Sequence, residues 1–149
     1  MKLALGSDHA GVDLRRFLAD ALKPLHFIMD CGCDGTTSVD YPEYAAAVAN
    51  AVRDQGADFG ICICGTGIGI SIAANKQPLM RAALCHTEYE ARMARAHNDA
   101  NILCLGARVI GQDVAWSITQ AFLATAFEGG RHQRRVNQLI ALDQNRSTI

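Results

Sequence analysis

The segment Phe59-Gly60-Ile61-Cys62-Ile63-Cys64 constrains this chain more than any other. It carries no charge and offers no polar face to water. Such a short apolar run reads as a strand buried on both sides, in the middle of a parallel sheet. It leads directly into Gly65-Thr66-Gly67-Ile68-Gly69-Ile70-Ser71. Glycine at every second position permits a tight turn and lets backbone N–H groups converge. A helix opening there adds partial positive charge. The pattern is an anion cradle at a strand-to-helix junction, although a plain tight turn would use the same glycines. Its spacing matches neither the dinucleotide fingerprint nor the Walker loop.

The rest of the chain alternates in the same way. Strands are predicted at Lys2–Gly6, His26–Cys31, Arg81–Cys85 and Ile102–Leu105. Helical spacing runs through Leu14, Phe17, Leu18, Ala21 and Leu22 and ends at Pro24. Pro42 suits a first helical turn, and an Ala-rich stretch continues to Gln55. Thr87-Glu88-Tyr89-Glu90 has the capping-box pattern of a helix start, and Arg92 and Arg95 fall on the outer face of that helix. A long helix is predicted from Gln112 to Phe127, and Gly129-Gly130 separates it from a terminal helix over Arg131–Asn145. Alternating strands and helices imply a Rossmann-like three-layer α/β/α sandwich, with a five-stranded parallel sheet and an extra C-terminal helix. One domain over residues 1–149 is expected from the length.

The bulk numbers exclude several classes. Fourteen Lys plus Arg balance fifteen Asp plus Glu, which leaves no electrostatic footprint for nucleic acid or an acidic membrane. No apolar run approaches the roughly 20 residues of a spanning helix. The N-terminal stretch does not read as a secretory signal, so a cytoplasmic protein is expected. The six cysteines, at 31, 33, 62, 64, 85 and 104, include no CxxC and read as reduced, mostly buried thiols. No metal is expected, because His and Cys lack recognised ligand spacing.

In an open parallel sheet ligands bind beyond the carboxyl ends of the strands. That rule selects Ser7–Gly11, Cys64–Gly69, Cys85–Thr87 and Gly106–Arg108. Cys64 opens the cradle, where N–H groups and a helix start favour a thiolate able to act as base or nucleophile. An inert buried thiol is the alternative. Asp8-His9 follows strand one at the same edge and fits an N-cap aspartate as well as a ligand contact. His97-Asn98 lies at a helix end, where a histidine also serves as a simple cap. Arg131 and Arg135, four apart, share a helix face suited to a phosphate monoester, or simply to solvent. Arg108 is a third candidate cation.

Together these segments resemble ribose-5-phosphate isomerase type B, in the superfamily that also holds galactose-6-phosphate isomerase. The resemblance is carried by Gly6-Ser7-Asp8-His9, Asp40-Tyr41-Pro42, Ile63–Lys76, His97-Asn98-Asp99-Ala100-Asn101, Gly106-Ala107-Arg108-Val109 and Glu128–Val136, in that order along nearly the whole chain. It implies an aldose–ketose isomerase without cofactor and a homodimer, or a tetramer, with active sites between subunits. Cys64 matches the catalytic base and His97 the ring-opening acid. Gly65, Thr66, Gly67, Ile68 and Gly69 match the anion hole, and Thr66 is placed to hydrogen-bond a substrate oxygen. Asp8, His9, Asn98, Arg108, Arg131 and Arg135 match substrate or phosphate contacts. Tyr41 and loop Asp34–Val39 are expected to help choose the sugar. The implied substrate is ribose 5-phosphate; allose 6-phosphate, galactose 6-phosphate or a non-catalytic partner subunit are the alternatives. A nucleotide-binding module would require a ribose-binding acid about 20 residues past the glycines, and Glu88 and Glu90 fit that distance loosely.

Overall fold

In the computed structural model residues 1–146 are described; the single-domain expectation also takes in residues 147–149, which lie outside that span. Five parallel strands alternate with helices. They are β1 (Lys2–Ser7), β2 (Phe27–Asp30), β3 (Phe59–Cys64), β4 (Ala82–Leu84) and β5 (Ile102–Gly106). The helices are α1 (Val12–Leu22), α2 (Tyr41–Asp54), α3 (Ile68–Asn75), α4 (Glu88–Asn98), α5 (Gln112–Ala124) and α6 (Arg131–Arg146), with a short 3-10 turn at His9–Gly11. Strand order is β2-β1-β3-β5-β4, so β3 is central as its apolar run requires.

The two faces of the sheet divide by strand period. Leu3, Leu5, Ile61, Ile63, Leu103 and Leu105 face one way and pack against Leu14, Leu18, Ala91, Ala115, Ile118 and Phe122 of α1, α4 and α5. Ala4, Cys62, Cys64, Ile102 and Cys104 face the other way. There α2 and α3 contribute Ala45, Val48, Ala49, Ile70, Ala73 and Ala74. The cysteines are thus small core residues on the face where the covering helices also present small side chains. Cys62 and Cys64 share this face, as alternation demands.

Several predicted boundaries move. β1 runs on to Ser7, β2 and β4 are shorter than their apolar runs, and α5 stops at Ala124 rather than Phe127. β2 and β4 are the two edge strands, so their outer residues gain no second ladder to extend them. Arg95 does not face outward. It is buried, with its guanidinium 4.5 Å from the Phe59 ring and hydrogen bonds to Asp99 Oδ1 and the Ala100 carbonyl, both 2.7 Å. Arg15 is also fully buried, and it donates to Ser7 Oγ at 2.7 Å and to the Cys33 carbonyl at 2.8 Å.

Candidate active site

Three strand ends meet around Cys64. Asp8 N donates to the Ile63 carbonyl at 3.3 Å, Ala107 N to the Cys64 carbonyl at 2.9 Å and Arg108 N to the Gly65 carbonyl at 2.9 Å. These bonds stitch the loops after β1, β3 and β5 into one surface at the carboxyl end of the sheet. Cys64 is nearly buried, and its Sγ accepts the N–H of Gly67 at 3.2 Å. Gly67 has φ +77° and is the residue from which α3 departs. A side chain there would also strike Leu84 and the backbone at Leu105–Gly106. The turn therefore requires glycine for two independent reasons.

The cradle differs from a simple row of free amides. Gly67 N is engaged by Cys64 Sγ, and Ile68 N donates to Thr66 Oγ1 at 3.2 Å. Among the described residues the amides of Gly69 and Ile70, in the first turn of α3, have no backbone acceptor. Those two amides are the donors that this turn leaves available. Thr66 is exposed, and its hydroxyl already accepts from Ile68, which fixes the direction in which it can donate.

The surrounding side chains frame this turn. The Arg108 guanidinium passes over Gly65, and the Tyr41 ring lies against Gly69. Asp8 caps the 3-10 turn, accepting from Ala10 N at 2.9 Å and Gly11 N at 3.3 Å. His9 Nδ1 accepts Val39 N at 3.2 Å, which ties the 34–39 loop to the same edge. Asp8, His9, Tyr41, Cys64, Gly65–Gly69 and Arg108 thus share one end of the molecule.

His97, Asn98, Arg131 and Arg135 do not. The chain leaves α4 at Asn98 and enters β5 beside the start of β3, where Gly60 N donates to the Asn101 carbonyl at 2.9 Å and Gly60 lies opposite Ile102. Cys64 lies opposite Gly106 at the other end. At about 3.3 Å per residue the strands alone put roughly 13 Å between the two edges. At the lower edge His97 stacks on His132, with centroids 4.2 Å apart and planes within 6°. Glu128 Oε2 lies 3.9 Å from His97 Nε2 and 3.7 Å from His132 Nε2. Arg131 and Arg135 are exposed on α6 beside this stack.

His132 and Glu128 were not singled out from sequence. Their signal is the i,i+4 spacing across Gly129-Gly130, which carries meaning only once α6 is placed on α4. The three side chains gather potential metal donors within 4.8 Å of one another. Stacking argues against a shared ion, since the two ring lone pairs lie in parallel planes and one ion cannot sit in both. The lower edge also holds a cavity of about 340 Å³ between α6 and the Asn75–Ala83 segment, lined by Asn75, Met80, Arg81, Leu139, Leu142 and Asp143. Its walls include none of the Cys64 loop.

Burial holds two of the other cysteines as thiols. All six are free thiols. Burial pushes the Cys85 thiol up to about 12. Cys104 is raised well above the ordinary thiol range by its hydrogen bond to Cys62 and by full burial.

Comparison with known proteins gives the family. The family model described as Ribose/Galactose Isomerase matches residues 3–139. The chain belongs to the ribose/galactose isomerase family. It is accordingly an aldose–ketose isomerase. It is 44% identical to ribose-5-phosphate isomerase B of Escherichia coli, covering 98% of this chain and 99% of that protein. Ribose-5-phosphate isomerase B of Clostridium thermocellum superposes with a TM-score of 0.95 at 51% identity, covering 97% and 99% of the two chains. The Thermotoga maritima ribose 5-phosphate isomerase gives 0.91 at 45% identity, covering 94% and 97%. The five-stranded three-layer fold is thus that of the family. No helix among the described residues is long and apolar enough to cross a membrane.

Proposed function

We propose that this chain interconverts ribose 5-phosphate and ribulose 5-phosphate in the cytoplasm, through an enediolate, without metal or cofactor. The observation that carries the proposal is the Cys64 thiol, set at a buried strand end against Gly67 N–H and beside the orphan amides of Gly69 and Ile70. Cys64 is the base. It takes the proton from carbon 2 of the open aldose and returns it to carbon 1, both on one face, while the carbon-2 hydroxyl proton passes to the carbon-1 oxygen. The Gly69 and Ile70 amides meet the oxyanion that forms between those steps; one such donor is typically worth about 3 kcal/mol. Thr66 and Asp8 hold hydroxyls of the sugar, and Tyr41 and His9 close the side toward the 34–39 loop.

His97 is the acid for ring opening. It gives a proton to the ring oxygen as the bond from carbon 1 breaks, and the anomeric hydroxyl gives its proton to water as the aldehyde forms. Asn98 contacts the sugar beside it. Arg131, Arg135 and Arg108 hold the phosphate, so remote binding energy positions the reacting carbons.

The two edges of one chain are too far apart to share a pentose. The proposed site is therefore made by two copies, one giving the Cys64 edge and the other the His97 edge. Exposed apolar side chains near Cys64 support this arrangement. Ile68 and Ile72 on α3 are each 54% exposed and Val109 is 52% exposed. A second copy seated there would cover them.

Turnover of ribose 5-phosphate, allose 6-phosphate and galactose 6-phosphate by the purified chain tests the substrate. The pentose is expected to be preferred; a six-carbon preference would replace it. Cys64→Ala is expected to lower kcat by about a thousandfold or more with sugar-phosphate binding retained. Normal turnover by that variant would remove Cys64 from the mechanism.

A further inference from the structure

The His97 edge holds more than a single acid. His97 is partly exposed at the end of α4, whereas His132 on α6 is buried. Two flat rings in parallel contact restrict each other's orientation more than either helix does alone. The neighbouring groups also favour one placement of the protons. Arg131 Nε donates toward His132 Nε2 at 3.5 Å. That nitrogen is therefore an acceptor, and the ring carries its proton on Nδ1. An Nε2 without a proton gives nothing to Glu128, so the carboxylate is left to His97 Nε2 at 3.9 Å.

The charges around the stack act in the same sense. Burial, and then the positive charge of His97 and Arg131, hold the His132 imidazole below the usual histidine range; Arg135 adds to this and Glu128 opposes it. Arg95, on the same turn of α4, is committed to Asp99 and the Ala100 carbonyl. The backbone fixes the arrangement. Glu128 N donates to the Ala96 carbonyl at 3.0 Å, and His132 N to the Gly129 carbonyl at 3.0 Å. Gly129 and Gly130, at φ +66° and +54°, turn the chain so that Glu128 and His132 both reach His97.

We propose that His132 is a positioning residue: its neutral ring is the platform that holds the His97 imidazole in place, with Glu128 reserved as the counter-charge of His97. The inference rests on the reading of His97 as the ring-opening acid. It separates two steps that the substrates themselves can distinguish. Ribose 5-phosphate must be opened from its ring. Ribulose 5-phosphate has its carbon-5 oxygen blocked by phosphate and is acyclic. In heavy water Cys64 removes a carbon-1 proton from ribulose 5-phosphate, the thiol so formed exchanges that proton with the solvent, and the enediolate takes back a deuteron, with no ring to open.

The test compares the full-length chain with His132→Ala and His132→Phe in both assays. His132→Ala is expected to lower kcat on ribose 5-phosphate by about tenfold to a hundredfold, with KM within about threefold. Carbon-1 deuterium exchange in ribulose 5-phosphate, followed by proton NMR, is expected to stay near wild type. His132→Phe, which restores a flat ring without a titratable group, is expected to recover most of the lost kcat. It should also keep its activity at acid pH, where wild-type His132 takes up a second positive charge against His97 and Arg131. The proposal is overturned if His132→Ala turns over ribose 5-phosphate normally, if turnover and exchange fall in the same proportion, or if only KM rises, which would make His132 a phosphate ligand. Failure of the site reading is visible separately, as normal ribose 5-phosphate turnover by His97→Asn.

Discussion

The two ends of the sheet are built by different means. At the Cys64 end the groups are fixed by backbone: Cys64 Sγ meets Gly67 N–H, Thr66 Oγ1 meets Ile68 N–H, and the loops after β1, β3 and β5 are bonded to one another. At the His97 end they are side chains on two helices, held by ring stacking and by a carboxylate at nearly 4 Å. Backbone-built geometry suits a developing oxyanion, which needs donors that do not reorganise. Side-chain geometry suits proton donation and phosphate binding, which need charged or titratable groups that the backbone does not carry. The difference teaches that the two edges of one chain fix their groups by different means, backbone at one and packed helix side chains at the other.

Substitutions at the two ends should therefore fail differently. Gly67→Ala strikes the rigid end, at φ +77° and against Leu84 and the Leu105–Gly106 backbone. It is expected to cost about 2 kcal/mol of stability and about a hundredfold in kcat, read by denaturant midpoint and steady-state kinetics. Wild-type kcat in a folded Gly67→Ala protein would mean that the loop geometry is not used. At the His97 end, Arg131→Ala is expected to raise KM about tenfold or more with a smaller change in kcat. An unchanged KM would remove Arg131 from the phosphate grip.

The smallest effect belongs to the far end of α4, where Thr87 Oγ1 accepts Glu90 N at 3.2 Å and the Glu90 carboxylate accepts His86 N and Thr87 N. Thr87→Ala should cost about 1 kcal/mol, or roughly 3 °C in Tm, and leave kcat within about twofold. A large kcat loss would show that α4 transmits strain to His97. The backbone donors from His86 and Thr87 hold the Glu90 carboxyl below its usual range. Its contribution is complete above the ordinary carboxylate pKa and disappears as pH falls through the lowered one.

Legibility in the sequence follows the same division. The Cys64 end was readable because a charge-free strand followed by alternating glycines has few other uses, and because the strand-end rule collects Asp8, His9 and Arg108 beside it. The strand alternation likewise revealed the layers, and Thr87-Glu90 the start of α4. The split between Cys64 and His97 was not readable from spacing, since both sit near element ends and only the direction of α4 separates them. Glu128 and His132 escaped notice because their partner, His97, is more than 30 residues earlier. Arg95 reads as an outer-face residue because a charged residue on a helix is usually solvated; in the fold Phe59, Asp99 and a carbonyl satisfy it instead.

The central claim is that each site joins the Cys64 edge of one copy to the His97 edge of another. Mixing two inactive variants measures it most directly. Cys64→Ala and His97→Asn chains, dissociated and reassembled together, would form hybrids in which one site carries both an intact Cys64 and an intact His97. For statistical pairing into dimers, about a quarter of wild-type specific activity should return. No recovery from a confirmed hybrid would place Cys64 and His97 in the same chain's site and contradict the account.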